Sequence, residues 1–468
     1  MLEKSRGARG LPLYSSKDHP HNSHWSFTRL PRRFTNLKNA IAGFVGLFLF
    51  IYYIFIPWAT GPRLPPLYSE YHIRDLQLPQ NNPNLSYPEG KDGRYIWIGN
   101  QCDGVGWGNY MQEFMLDAFV AYEAGWTNVF FNYTWNKQGG PYTKYGKGLI
   151  PSRIPLSALV QGPLVGDPWA EGDDTPRAVV KEYFDQICPK SETIKINPRE
   201  VDENQPGNFP ASVLVDKWIQ KLATVQSRCV EVDKDELQMF SFWTFGKADV
   251  LLDVWPRYSR SPIITQFRWS NLIESAFTTN RHLFTEAHTP VYPYETIPGL
   301  LALHIRRGDY EDHCQKLATY GSVFNGFNSF PQFEDKFKVP VTDNESFKKN
   351  VYLKACFPSI RQIVEKVNQV RRTDEGKGLK DIFIMTNGRT DWVDELKTEL
   401  RAAGKWGLIA SSRDLTLNWE QKYIAQSVDM LIGQRAQVLV GNGFSSLTSN
   451  VVMFRMARDV PPNSNRFW

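Results

Sequence analysis

Signatures of metal-dependent and redox chemistry are scarce in this chain. It has no His-Glu-x-x-His and no Cys-x-x-Cys, and three of its eight histidines (His19, His21, His24) lie in the first 24 residues. That leaves too few for a confident ligand cluster. Five cysteines in 468 residues exclude a small disulfide-dominated scaffold. No Gly-Lys-Ser/Thr occurs, so the phosphate-binding P-loop is absent. The sequence has no internal repeat. Collagen-like and disordered readings fail because 42% of residues are apolar and 14% aromatic, enough for a sizeable core. The length suggests about three domains' worth of chain.

The formal charge of +5 is unevenly placed. Residues 1–38 hold eight Lys/Arg against Glu3 and Asp18, which leaves 46 basic and 47 acidic residues beyond them. The bulk of the chain therefore has no nucleic-acid signature. Asn39 to Ala59 follows the basic tail without a single charge. As a helix these 21 residues would extend about 31 Å, close to the hydrocarbon thickness of a bilayer. Tyr52, Tyr53 and Trp58 lie toward the end of the run, where amphipathic rings favour the headgroup level. The run starts too late and is too long for a signal peptide. The charge asymmetry predicts a cytosolic tail (1–38), a single membrane anchor (39–59) and a luminal remainder. Three Asn-x-Ser/Thr triplets (Asn84, Asn132, Asn344) and all five cysteines fall on that luminal side, as glycosylation and an oxidising compartment require. The cysteines allow fifteen two-bridge patterns; Cys314–Cys356 is preferred because it would close an insertion. Six prolines in residues 60–92 predict an extended, solvated stem.

From residue 93 onward the pattern alternates. Arg94–Ile98 reads as a strand, followed by a glycine-rich turn. Met111, Phe114, Met115, Ala118, Phe119 and Tyr122 then mark one helix face, with Asn109 placed as N-cap and Gly125 as stop. Residues 135–260 are irregular apart from a helix from Ala211 to Gln226. Leu300–His304 is a buried-strand signature, followed by an excursion over 312–350. Strands at 381–386, 408–411 and 438–440 then alternate with helices at 392–403, 419–433 and 447–456. This is an α/β pattern with mostly parallel strands, divisible into halves at 93–298 and 299–468.

Three constellations suit an anionic ligand. Gly104-Val-Gly106-Trp-Gly108-Asn109 stands between strand and helix, where glycines admit backbone N–H groups to an anion and the helix dipole favours it. A plain tight turn is the alternative. His304-Ile-Arg306-Arg307-Gly308-Asp309 stands at the C-terminal end of a hydrophobic strand, the edge at which open α/β sheets bind ligands. Arginine's fixed donor fork suits phosphate, although a salt-bridged loop would also explain it. Gly441-Asn442-Gly443-Phe444-Ser445-Ser446 again joins strand to helix, as a phosphate cradle or a simple Ser N-cap. Asp429 precedes it on a helix. Asp233 and Asp235, in a charged stretch, read first as a solvated turn and otherwise as the acidic pair that would hold a divalent metal on a nucleotide sugar.

Together these three motifs resemble the protein O-fucosyltransferase-like family. A membrane anchor with a proline-rich stem is also the layout common to secretory-pathway glycosyltransferases. The resemblance implies a GT-B fold of two Rossmann-like domains facing a cleft. It implies a GDP-fucose donor, a protein or glycan acceptor, inverting transfer without an essential metal, and residence in the Golgi or endoplasmic reticulum membrane. By the same resemblance, Arg306 binds the β-phosphate and stabilises the leaving group, and Asn109 contacts the donor and acceptor side. His304, Gly106 and Gly108 lie at the nucleotide, Ser445 and Ser446 bind phosphate, and Asp429 lies near the guanine. Some relatives carry a glutamate just before the turn asparagine as general base. Here only Asp103 is close by, with Asp309 as runner-up. The rivals are a metal-dependent GT-A transferase using Asp233 and Asp235, and a non-catalytic glycan- or nucleotide-binding protein.

Overall fold

The computed structural model describes residues 37–50, 63–233, 237–286, 294–308 and 310–468. Residues 64–468 form one compact unit. In the preceding unit, helix α1 (Leu37–Phe50) carries the first part of the predicted membrane span. Residues 51–59 of that span lie outside the described residues. Among the described residues, no helix is long and apolar enough to cross a membrane.

Two five-stranded sheets, each wholly parallel, organise the compact unit. Numbering the strands of these sheets alone, the first holds β1 (Tyr95–Ile98), β2 (Thr127–Phe130), β3 (Val179–Val180), β4 (Ile194–Ile196) and β5 (Cys229–Val232), in the order β3-β2-β1-β5-β4. The second holds β6 (Ile297–Ile305), β7 (Asp381–Thr386), β8 (Ile409–Ser411), β9 (Ala436–Gly441) and β10 (Asn465–Phe467), in the order β8-β7-β6-β9-β10. Strand order reverses between β1 and β5 in one sheet and between β6 and β9 in the other. Such reversals open a crevice beyond the C-terminal strand ends, where α/β folds bind ligands. The predicted α/β class is observed, and both glycine loops and the arginine motif follow strands at these two switch points. Strand β6 is buried along almost its whole length, as its run of Ile, Leu and Ala requires in a parallel sheet.

The helices used below are α2 (Ser69–Leu76), α3 (Trp107–Glu123), α4 (Asn271–Asn280), α5 (Ala425–Arg435) and α6 (Ser446–Met456). Helix α3 is buried on all sides rather than on one face. It stops where expected, with Gly125 at φ +65° and the Trp126 N–H bonded back to Ala121 O, a left-handed glycine stop.

The stretch read as an extended stem folds differently. Helix α2 occupies the twelve proline-free residues between Pro66 and Pro79. Prolines forbid a helix interior only where they stand. The Tyr68 hydroxyl donates to Glu420 O at 2.7 Å, and Gln80 Nε2 donates to Gly166 O and Ala178 O at 2.8 and 2.7 Å. Arg177 grips Glu89 through Nε and Nη2 at 2.7 and 2.6 Å. Residues 64–92 are thus laid along the body of the unit. The excursion after Arg306 also begins as a helix, Tyr310–Tyr320. Disulfides join Cys314 to Cys356, the preferred pair, and Cys188 to Cys229. Cys102 is the remaining thiol.

Candidate active site

The glycine turn after β1 and the glycine–serine turn after β9 meet. Helix α3 begins at Trp107 with Gly106 as its N-cap, so Asn109 lies in the first helical turn rather than at the cap. Its N–H bonds Gly106 O at 2.9 Å, and its side chain is exposed. A flexible glycine can enter the helix where the sequence pattern favoured the better capping residue. Gly108 is buried against the start of α6. A Cβ placed there would stand 2.7 Å from Leu447 N and 2.8 Å from Ser446 Oγ. Asn450 Nδ2, one turn into α6, donates to Gly108 O at 2.8 Å. The N-termini of a 17-residue and an 11-residue helix therefore converge, and each presents a positive dipole end. Gly106, by contrast, has open space where a Cβ would be.

Strand β6 brings in the third component. His304 is 3% exposed, and its Nδ1 lies 2.7 Å from Thr448 Oγ1 in the first turn of α6. Burial, reinforced by the neighbouring Arg306 charge, pushes the imidazole down to about 3, so it is neutral at physiological pH. Arg306, immediately beyond the strand, is half-buried with its guanidinium 5.1 Å from the Tyr310 ring centre. Arg307 is committed elsewhere. It is stacked 4.3 Å from Phe357 and 4.1 Å from Trp392, with its N–H on Asn387 Oδ1 at 2.8 Å. The two adjacent arginines have separate surroundings: Arg306 stands two residues past His304, whose ring meets the first turn of α6, and Arg307 lies in the aromatic packing.

Ser445 is the N-cap of α6, its Oγ accepting from Leu447 N at 3.2 Å. The capping alternative thus holds for Ser445, while Ser446 stands against Gly108. Three asparagine and phenylalanine contacts fix this turn. Asn328 Nδ2 donates to Gly443 O at 2.9 Å, Asn442 Nδ2 donates to Cys356 O at 2.7 Å, and the Phe324 ring closes over Gly443. Asp429, on α5, accepts from Ser412 Oγ at 2.9 and 2.8 Å. Ser412 follows β8, two strands from β6, so this carboxylate marks the far end of the same sheet edge, about 10 Å along it. Burial raises Asp429 to about 7, against the lowering effects of the Ser412 hydrogen bond and Arg413.

The remaining predicted residues make other contacts or lie outside the described residues. Asp103 is exposed and 4.0 Å from Lys137 Nζ. Asp233 lies beyond β5, paired with Lys195 at 3.7 Å. Asp235 and Asp309 lie outside the described residues. No group of three or more metal-ligating side chains occurs among the described residues.

Sequence reasoning missed a buried acidic pair beneath the glycine turn. Glu113 accepts from the Cys102 N–H at 3.3 Å, and burial raises it to about 7. Asp117, one turn further and fully enclosed, is raised by burial and by Glu113. Burial also pushes the Cys102 thiol up, helped by the same carboxylates. The i, i+4 spacing of Glu113 and Asp117 was the available signal. Asn450, which bonds the two turns together, and Thr448, which bonds His304, gave none.

No family model and no curated protein sequence matches the chain. Solved structures do. POFUT1 in complex with GDP-fucose is similar at 16% identity over 80% of this chain and 98% of that one, with a TM-score of 0.48. POFUT1 without ligand is similar at 16% identity, 82% and 99% coverage and a TM-score of 0.47. A mutant of Arabidopsis thaliana FUT1 in complex with GDP is similar at 11% identity, 82% and 73% coverage and a TM-score of 0.32.

Gly108 gives a direct test of the convergence. Gly108→Ala forces the backbone of α6 to move, because a helix N–H 2.7 Å away cannot rotate aside. Chemical denaturation is expected to show a loss of about 1–3 kcal/mol, the usual penalty of overpacking. An unchanged denaturation midpoint would contradict the close approach.

Proposed function

We propose that this chain is a GDP-fucose-dependent glycosyltransferase of the secretory pathway. It works as a type II membrane protein, with two Rossmann-like halves flanking a cleft in the GT-B manner. It inverts the sugar configuration on transfer to a protein or glycan hydroxyl. The observation that carries the reading is the meeting of two helix N-termini at the reversal points of two parallel sheets, with Arg306 directly beyond the central strand β6 of the second. That arrangement suits a diphosphate, and the motif resemblance supplies the identity of the sugar nucleotide.

In this mechanism the diphosphate lies on the first-turn N–H groups of α3 and α6 with Arg306 on its β-phosphate. As the bond from the sugar anomeric carbon to the phosphate oxygen breaks, the electron pair leaves on GDP. The preorganised donors and the guanidinium stabilise the charge that develops there. His304, neutral and held by Thr448, adds a hydrogen-bonding group without adding repulsion to Arg306. The acceptor hydroxyl attacks from the opposite face and loses its proton, for which Asp103 is the proposed base. Asp429 accepts from the guanine edge.

The test is calorimetric titration of the full chain with GDP, UDP and GDP-fucose, with and without EDTA, followed by a transfer assay. The reading requires EDTA-insensitive binding of GDP over UDP. UDP preference or a manganese requirement would move the assignment to Asp233 and Asp235. Nucleotide binding without hydrolysis or transfer would make the protein a non-catalytic binder.

The Asp429 assignment predicts a pH dependence. An acceptor for guanine N–H groups must be ionised, and a carboxyl raised to about 7 must first lose its proton at lower pH. Below that value each pH unit costs about tenfold in binding. GDP affinity is therefore expected to fall about tenfold from pH 8 to pH 6. Asp429→Asn is expected to flatten this profile, which separates it from Glu113. A profile unchanged in Asp429→Asn would remove Asp429 from the guanine site.

A further inference from the structure

A cavity of about 360 Å³ opens on the opposite edge of the second sheet. Its walls include Arg268, Arg281, Glu274, Phe277, Tyr294 and Arg435. Arg435 immediately precedes β9, and Tyr294 lies three residues before β6. The proposed donor site lies past the other ends of these strands. Strand β6 climbs eight steps from Ile297 to Ile305, about 26 Å at the usual rise, so the cavity and the donor site are separate.

The charge around this cavity is unbalanced. Arg435 lies 4.4 Å from the Phe277 ring centre, and Arg458 lies 4.1 Å from that of Tyr294. Arg435 is held below its ordinary range by burial and by the repulsion of Arg281 and Arg458, against the pull of Glu274. Asp167, the other carboxylate nearby, is shared. It meets Arg268 at 3.8 Å and Arg74 at 3.5 Å while accepting from the Gly162 N–H at 2.8 Å. Three guanidiniums, Arg268, Arg281 and Arg435, thus line the cavity with one carboxylate, Glu274. In addition, Arg281 Nε is buried with no hydrogen-bond partner among the described residues. Native structures rarely leave such a donor unpaired without a ligand, ion or water to meet it.

We propose that this cavity is a second, oxyanion-binding site, which takes the carboxylate, sulfate or phosphate of a small ligand between Arg281, Arg435 and Arg268. Guanidinium forks bind such groups bidentately, and the volume lies at the small end of ligand pockets. The site is independent of the nucleotide chemistry at the other sheet edge.

The test titrates the full chain with sodium glucuronate, sulfate and phosphate at constant ionic strength. Calorimetry gives the stoichiometry, and thermal unfolding gives an independent reading. One saturable equivalent is expected in the wild type beyond any that the Arg306→Ala substitution removes. Arg281→Gln and Arg268→Gln are each expected to weaken it at least tenfold, while Arg306→Ala leaves it unchanged. The Arg268 side chain is 58% exposed, so its variant tests the site even if the Arg281 substitution impairs folding. Glucuronate bound more tightly than the inorganic anions upholds the site with a sugar acid as ligand. Sulfate or phosphate bound alone upholds it with a free inorganic anion. Binding lost in Arg306→Ala but kept in Arg281→Gln and Arg268→Gln would overturn the proposal, as would no saturable binding by any of the three.

Discussion

Replacing Arg306 with alanine is expected to lower turnover by about 10²–10³, the usual consequence of removing one preorganised donor from a developing anion. Arg306 directly follows a fully parallel, buried strand, so its backbone is fixed by the ladder of β6 with β7 and β9. Its neighbour cannot take over. Arg307 is 7% exposed between Phe357 and Trp392, and moving it would empty an aromatic slot. Arg306→Lys retains the charge but loses the planar fork, so an intermediate loss is expected. The check is steady-state kcat alongside the calorimetric Kd for GDP. If the arginine acts mainly on the departing diphosphate, kcat falls more than GDP affinity. An Arg306→Ala protein that keeps over half of its activity would sink the assignment.

Legibility in the sequence followed the range of the interaction. Strand β6 and the arginine motif were readable because burial in a parallel sheet writes a continuous apolar run, and the motif simply follows it. The strand at 381–386 was readable for the same reason. Helix Ile360–Val370 was missed although Ser359 and Gln362 form a capping box, because no element was assigned between the excursion at 312–350 and the strand at 381–386. The cap of α3 was misplaced by three residues, since local preference favours asparagine over glycine while the close approach of α6 falls on Gly108, inside the helix. That approach is itself invisible locally. Asn450 and Gly108 are 342 residues apart, and no periodicity relates them. The stem was misread because proline content was averaged over 33 residues, whereas the helix forms within a proline-free stretch and long-range hydrogen bonds of Tyr68, Gln80 and Glu89 hold the rest. The acidic pair Glu113 and Asp117 lies on the side of α3 opposite the apolar stripe, and is buried because the helix is enclosed all round.

The same long-range logic makes Arg455 the residue whose loss should damage the fold most. It stands in the last turn of α6, the helix whose first turn forms the proposed phosphate cradle, and it is wholly buried. No carboxylate meets it among the described residues. Its guanidinium is instead satisfied by neutral oxygens, with Nε on Asn465 Oδ1 at 2.6 Å and Nη2 on Ser464 Oγ at 2.8 Å. Nη1 donates to Ala436 O and, at 3.4 Å, to Gly433 O and Gln434 O. These partners close α5, start β9 and begin β10, so one side chain pins the C-terminal end of α6 to three elements at the lower edge of the sheet. Fixing that end fixes where the other end points. Arg455→Ala would strand several buried acceptors, each worth about 1–3 kcal/mol when left unpaired. The summed loss is comparable with the roughly 5–15 kcal/mol that holds a typical domain folded. Little soluble, cooperatively unfolding protein is therefore expected from Arg455→Ala. Arg455→Lys, with one donor group in place of a fork, is expected to fold with a clearly lowered denaturation midpoint and weakened GDP binding. An Arg455→Ala protein that unfolds at the wild-type midpoint would show that α6 is held by its apolar packing alone, and that the cradle at its N-terminus does not depend on this anchor.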